Sequence, residues 1–211
     1  MAAKPSVDCF TFRPMSLDDI STFSEWFWDF KDVALFERSS PIPTNLDAMK
    51  GSWKKSLEYA TNPTAFWFIA ISADGRPAGI AGLEAINYIH GDAIVPAFVG
   101  RQFRRKGLAT AMSISLLELA FRQLRLYRVS TYYREDNSAT RSTLTSLGFQ
   151  EEGRFRGGWF SDGKRRDVII AGLLSSEWEQ TRKSVLEGLT PVSYTLLTLP
   201  TYYTVYISAD P

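Results

Sequence analysis

The stretch from Asp92 to Tyr132 constrains the fold more than any other part of the chain. It begins with an apolar segment, DAIVPAFV (92–99), followed by a basic loop, RQFRRKG (101–107). From Gly107 to about Leu124 the apolar residues Leu108, Met112, Leu116, Leu119 and Ala120 recur at helical spacing. A further apolar segment runs from Tyr127 to Tyr132. Strand, helix, strand in that order cannot close as a hairpin; two strands joined by a helix pair in parallel, through a crossover. Part of the sheet must therefore be parallel, with a helix lying on one face.

The other elements read as mostly antiparallel. FTFRP (10–14) alternates apolar and polar, as a short strand does. Ser16 with Asp19 three residues on resembles a capping box and predicts a helix carrying Ile20, Phe23, Phe27 and Phe30. A second helix is predicted from Thr44 or Asn45, with Leu46, Met49, Trp53 and Leu57 on one face, stopped by Asn62-Pro63. Ala65 to Ile71 and Pro77 to Ile86 flank Asp74-Gly75 as a hairpin. Ser138 to Leu147 reads as a short helix closed by Gly148. Phe149 to Arg156 and Arg165 to Leu173 flank a second turn, Asp162-Gly163, and Ser175 to Leu186 is a polar helix. The order β α α β β β α β α β β specifies an α/β fold with a mixed sheet and helices on both faces.

Charge narrows the function. The formal net charge of the 211 residues is only +1, so a general attraction to nucleic acid or to a membrane surface is not expected. The basic loop is therefore a local feature. A single cysteine, Cys9, forbids an intrachain disulfide. MAAKPSVDCF lacks the apolar core of a signal peptide, and no apolar run is long enough for a membrane helix, so a cytoplasmic protein is expected. Residues 1–186 are read as one domain. The remaining 187–211 contain TPVSYTLLTLPTYYTVYISADP, with Asp210 as its one charged side chain. That tail reads either as an extra edge strand or as a non-native or disordered extension. VSYTLLTLPT resembles a translation of sequencing-adapter DNA, which favours the second reading.

Arg104, Arg105 and Lys106 stand where a helix N-terminus already presents unpaired N–H groups and partial positive charge. Stacking cations there is unfavourable unless an anion is bound. Gly107 permits close approach of a ligand, and the N–H groups from about Arg105 to Ala109 would converge as a phosphate nest. On charge alone, a solvated basic loop is the better explanation of the stretch. Gly158-x-x-x-x-Gly163-Lys164-Arg165 half-matches a phosphate-binding Walker loop, but it lacks the following Ser/Thr and sits on a hairpin turn. Arg101, Arg104, Arg105, Lys106, Arg122 and Arg125 offer a nucleic-acid reading that the near-zero net charge argues against.

Arg104-x-x-Gly107-x-Ala109 resembles the pyrophosphate loop of the GNAT superfamily of N-acetyltransferases. Asn137-Ser138-Ala139-Thr140-Arg141, followed by Ser146-Leu147-Gly148-Phe149 and Glu151-Glu152-Gly153, is similar to a segment of its ribosomal-protein (RimJ/RimL-like) branch. The resemblance runs from about Phe10 to Trp178. It implies a sheet splayed between the fourth and fifth strands, acetyl-CoA as co-substrate, and a primary amine as acceptor, on a protein N-terminus or a small molecule. No metal is implied, and a homodimer is compatible with the reading. Pro96, inside the fourth strand, agrees with a lost pairing at the splay, since proline cannot donate to a ladder.

By that resemblance the cofactor-binding candidates are the backbone at Phe98 and Val99, the loop Arg104, Arg105, Lys106, Gly107, Leu108 and Ala109, and Asn137, which also suits a helix N-cap. Many members carry a tyrosine seven residues after the Asn as proton donor; here that position is Leu144, and the related branch places a serine where this chain has Thr140. Thr140 is thus the candidate donor for the leaving thiolate. Glu84 is the candidate base, with His90 and Asp92 nearby in sequence and water as a further option. The segment Glu25-Trp26-Phe27-Trp28-Asp29-Phe30, with Phe36 and Glu37, falls where this family covers its acceptor. Its rings suit a cationic amine or simply fill a helix core. The rival reading of the whole is a non-catalytic acyl-CoA-binding or partner-binding module of the same fold.

Overall fold

A computed structural model describes residues 8–36, 45–58, 61–187 and 203–207. Among these, the strands are β1 (Asp8–Pro14), β2 (Phe66–Ser72), β3 (Pro77–Asn87), β4 (Asp92–Ile94), β5 (Ala97–Val99), β6 (Arg128–Arg134), β7 (Gln150–Ser161), β8 (Lys164–Leu174) and β9 (Tyr203–Ile207). The helices are α1 (Ile20–Phe23), α2 (Phe30–Phe36), α3 (Leu46–Leu57), α4 (Leu108–Glu118), α5 (Ser138–Ser146) and α6 (Ser175–Glu187). The sheet runs β7-β8-β6-β4-β3-β2-β1-β9, with β5 also on β3. Among the described strands only the β4–β6 pair is parallel, as the crossover through α4 requires. The α/β fold with a mixed, mostly antiparallel sheet is the one the element order specifies.

Alternation in β2 shows how the two layers arise. Trp67 and Ile69 point into a core with Ile20, Phe23 and Phe27, Val33 of α2 and Met49 of α3. Ala70 points into the opposite core, against which Phe68 packs, with Leu108, Met112, Ile114 and Leu116 of α4 and Trp178 of α6. A period of two thus feeds helices on both faces. Full burial of one such large apolar side chain stabilises by about 1.5–3 kcal/mol. Gly79 on β3 sets how closely α4 approaches: a Cβ there would lie 2.9 Å from Met112 Cε and from the Phe98 carbonyl oxygen.

Three expectations need correction. The helix after Ser16 is broken: a capping box formed by Ser16 and Asp19 opens a short 3-10 turn, then come α1, a second 3-10 turn (Ser24–Phe27) and, after Trp28 and Asp29, α2. The aromatic run forces this, because its rings must reach several directions of one core. The helix α3, capped by Asn45, ends at Leu57, ahead of Asn62-Pro63. The segment 92–99 is two strands, β4 and β5, interrupted at Val95-Pro96. The Asp162-Gly163 turn has φ of 53° and 72°, the double left-handed conformation of a tight hairpin, so the Walker-like residues join β7 to β8.

In the tail, residues 203–207 form an edge strand antiparallel to β1. Residues 188–202 and 208–211, like Glu37 and Thr44, lie outside the described residues.

Candidate acetyl-CoA and acceptor site

The site begins where the parallel pairing stops. Asp92, Ala93 and Ile94 lie opposite Arg128, Val129 and Ser130, and the Val95 N–H donates to the Ser130 carbonyl at 2.8 Å. The Thr131 hydroxyl then donates to the Val95 carbonyl at 2.9 Å, completing the last link across the two strands. Pro96 follows and has no N–H to continue. From there β5 keeps its partner β3, with Ala97, Phe98 and Val99 opposite Ala81, Ile80 and Gly79, and parts from β6. The splay expected between the fourth and fifth strands of the sequence, 92–99 and 127–132, therefore starts at Pro96 and separates β5 from β6.

Backbone alternation decides which groups of β5 face the split. The Pro96 carbonyl accepts from Gly82 and the Gly100 N–H donates to Ala78, so residues 96, 98 and 100 turn their amides toward β3. Val95 turns toward β6, and the Val99 carbonyl accepts from Arg104 Nε at 3.0 Å, away from β3. Ala97 and Val99 thus present their backbone to the split. Phe98, a sequence candidate for this role, does not: its amide belongs to the β3 ladder. Its side chain is buried against Trp26, Phe27 and Phe36, with ring centroids 5.6, 5.1 and 5.5 Å away.

At the mouth of the split lies the basic loop. Gly107 is the N-cap of α4 in the left-handed region, φ 74° and ψ 0°, and its side-chain-free position supplies no cap. Arg105 is also left-handed, at φ 63°. The first N–H to bond back along α4 is that of Ala111, to the Gly107 carbonyl at 3.0 Å. The N–H groups of Leu108, Ala109 and Thr110 precede it and have no intrahelical acceptor. Alternating left-handed residues ahead of a helix start form the concave set of donors that suits a diphosphate.

The loop side chains divide into two sets. The exposed Arg105 and half-buried Lys106 flank the nest, Lys106 Nζ lying 6.0 Å from the Phe103 ring. Arg104 instead turns inward. Its guanidinium donates to Val99, lies 5.5 Å from the Phe98 ring centroid and pairs with Asp32 at 3.0 Å. Arg101 pairs with Asp32 at 2.6 Å and with Asp29 at 2.5 Å, and Arg122 pairs with Glu118 and Glu179. Much of the positive charge counted in the sequence is thus neutralised within the fold.

Asn137 caps α5, its Oδ1 accepting from the Thr140 N–H at 3.1 Å. Because β6 ends at Arg134 and α5 starts at Ser138, this turn stands at the open end of the split, and it brings half-buried Thr140 there. Leu144 is buried in the core. On β6, Tyr133 is buried and donates to Glu151 at 2.5 Å, while Arg141 Nε donates to the same carboxylate at 2.9 Å. Burial and the Glu151 contact raise the Tyr133 pKa above its ordinary value.

On the opposite face, Glu84 lies across from Ile94, one residue before the last cross-strand link, beside a bulge where Ala85 has φ 49°. Its carboxylate accepts from Trp67 Nε1 at 3.1 Å. Trp53 and Phe36 pack on Trp67 at 4.5 and 6.5 Å. Of the aromatic segment, Phe27 is buried, Trp26 and Phe36 are half-buried against it, and Trp28 is 59% exposed. His90 does not join the site: it is exposed in the turn before β4, at the end of the strand away from Pro96. Asp92 lies at that same end.

A sheet split open at a proline, with an open and basic helix N-terminus at its mouth, is the frame of a CoA-dependent acyltransferase. The chain belongs to the acetyltransferase (GNAT) domain family, which matches residues 10–150. It is 31% identical over 106 residues to YdaF of Bacillus subtilis, a protein named for ribosomal N-acetylation, covering 50% of this chain and 58% of that one. It is 28% identical over 99 residues to the spermidine N(1)-acetyltransferase of Escherichia coli, covering 47% and 53%. The chain thus spans little more than half the length of those two relatives. Its fold superposes on a spermidine N-acetyltransferase from Vibrio cholerae, solved with CoA and spermine, with a TM-score of 0.72 over 81% of this chain and 98% of that one at 20% identity. Acetyl-CoA is the donor used by acetyltransferases of this family.

Sequence reasoning did not single out Ala97, Asp32 or Trp67, and it placed Asp29 in the aromatic segment without its arginine partner. Ala97 could have been found from strand parity once the break at Pro96 was known. Nothing local connects Asp29 or Asp32 with arginines about 70 positions away.

Proposed function

We propose that this chain is an N-acetyltransferase that moves the acetyl group of acetyl-CoA to a primary amine, on a protein N-terminus or a small molecule. The observation that carries the reading is the coincidence of the split at Pro96 with the uncapped start of α4 at Gly107. The Leu108, Ala109 and Thr110 amides hold the diphosphate at the helix N-terminus. Ala97 and Val99 offer backbone groups to the acyl arm in the split.

Transfer forms one N–C bond and breaks one C–S bond. A protonated amine must lose one proton before it can attack and a second as the amide forms; one of these reaches the departing thiolate and the other leaves to solvent. Glu84 is the base in this reading, since it stands level with the split on the aromatic face, held by Trp67. Trp67 at that carboxylate, with Trp53 and Phe36 packed on it, makes an aromatic surround that suits a cationic amine. Thr140 returns the proton to the thiolate, directly or through water.

The test is thiol release from acetyl-CoA in the presence of spermidine, peptides with free N-termini, and amino sugars. Turnover with one of them, and a fall in kcat of about 10²-fold in Glu84→Gln, are expected for a general base. CoA binding without turnover on any amine would make the chain a non-catalytic binding module.

A further inference from the structure

We propose that Asp32 is a positioning residue that couples the acceptor-side segment to the CoA loop. The inference rests on the reading of Arg104–Ala109 as the CoA loop. Asp32 lies in α2 and is 4% exposed. Each of its carboxylate oxygens holds a different arginine of the segment that leads into α4: Oδ2 is 2.6 Å from Arg101 Nε and Oδ1 is 3.0 Å from Arg104 Nη2. Arg104 is held at a third point by the Val99 carbonyl, on the edge of the split, and over the Phe98 ring. Asp29, just ahead of α2, takes Nη2 of Arg101.

The contact joins the two halves of the site. On one side it grips the residues that set the course of the loop into Gly107. On the other, α2 carries Phe36, whose ring packs on Phe98 and Trp67, and Trp67 holds Glu84. A buried carboxylate with two guanidinium partners is strongly destabilised when either partner withdraws. The loop cannot shift without disturbing α2, and α2 cannot shift without disturbing the loop. Binding on one side therefore changes order on the other, and such coupling is reciprocal. It also accounts for part of the basic crowding at this helix start: Arg101 and Arg104 pair with Asp32 of α2, and the backbone nest beside them is what an anion would meet.

The experiment uses the full chain with CoA as the probe, combining calorimetry with hydrogen exchange of the α2 amides. In the wild type, CoA is expected to slow exchange in α2. In Asp32→Asn, CoA affinity should fall three- to tenfold, and the CoA-dependent protection of α2 should vanish. Asp32→Glu should restore part of both. A merely structural role would speed exchange equally with and without CoA and leave the affinity of the folded protein unchanged; that result overturns the proposal. So does tighter CoA binding by Asp32→Asn, which would mean that Asp32 competes with phosphate for the arginines. Should Asp32→Asn fail to fold, Arg101→Ala removes one link at an exposed side chain. It should cost two- to threefold in affinity with reduced protection, and wild-type behaviour there overturns the proposal too. Gly107→Glu reports separately on the loop. Undiminished CoA binding by that variant would remove the loop reading and the coupling with it. Weakened binding there with unaltered Asp32 variants removes the coupling alone.

Discussion

Two helices start at the open end of the sheet, and they start differently. α5 is closed by its own chain: Asn137 Oδ1 accepts from the Thr140 N–H. α4 is left open: Gly107 has no side chain to offer, sits in the left-handed region, and is preceded by Arg105 and Lys106. A helix start that its own sequence caps has little remaining need of a ligand. One that leaves its donors bare and adds positive charge is set up for an anion. Position in the fold is shared between the two ends; the residue at the cap separates their roles.

The largest effect should come from closing the open end. Gly107→Glu puts bulk and negative charge among the bare amides, and CoA affinity should fall at least about tenfold, or roughly 1.4 kcal/mol, by calorimetric titration. Helix propensity alone predicts no loss of stability, but the left-handed backbone at Gly107 changes that. A side chain there costs about 1–2 kcal/mol, so the melting temperature should drop by a few degrees. Unchanged affinity would place the anion elsewhere and break the comparison.

At the closed end, Thr140→Val keeps the shape and removes the hydroxyl. If Thr140 returns the proton to the thiolate, kcat should fall about fivefold to tenfold, with water limiting the loss, while CoA affinity holds. An unaltered kcat in steady-state assays would leave Thr140 as a cap residue alone.

Asn137→Ala sharpens the contrast further. Removing the cap should cost about 1 kcal/mol of stability in denaturant titration, with CoA affinity changing less than threefold. A larger loss of affinity would show that Asn137 also contacts the acyl arm.

The smallest effect is expected from deleting residues 188–211. Among the described strands β9 pairs with β1 alone, at the edge of the sheet. CoA affinity should stay within twofold, and the melting temperature should move by less than about 2 °C, corresponding to roughly 0.5 kcal/mol or less for a chain of this size. A larger drop would make the edge strand part of the domain.

Much of this was legible along the chain because its causes are local. The Asp-Gly turns, the Asn45 and Asn137 caps, the Pro96 break and the glycine opening α4 each act within a few residues. The broken start of the first helix was not legible, since the rings of Phe23, Trp26 and Phe27 choose their directions from the core they meet. The role assigned to Phe98 failed by one position, because strand parity depends on the partner strand.

By itself, then, the sequence determined the element order, the one parallel crossover, the place where the fourth strand loses a partner, and the uncapped helix beside it. Each follows from backbone chemistry: which residue lacks an N–H, tolerates positive φ, or carries a capping oxygen. Only the tertiary structure decided which amides face the split, that Glu84 stands with Trp67 on the aromatic face, and that Asp32 takes up Arg101 and Arg104. Those depend on register and on contacts between segments about 70 residues apart, where any acid could have met any base. Burial selected the pair, since a carboxylate as enclosed as Asp32 needs every partner within reach.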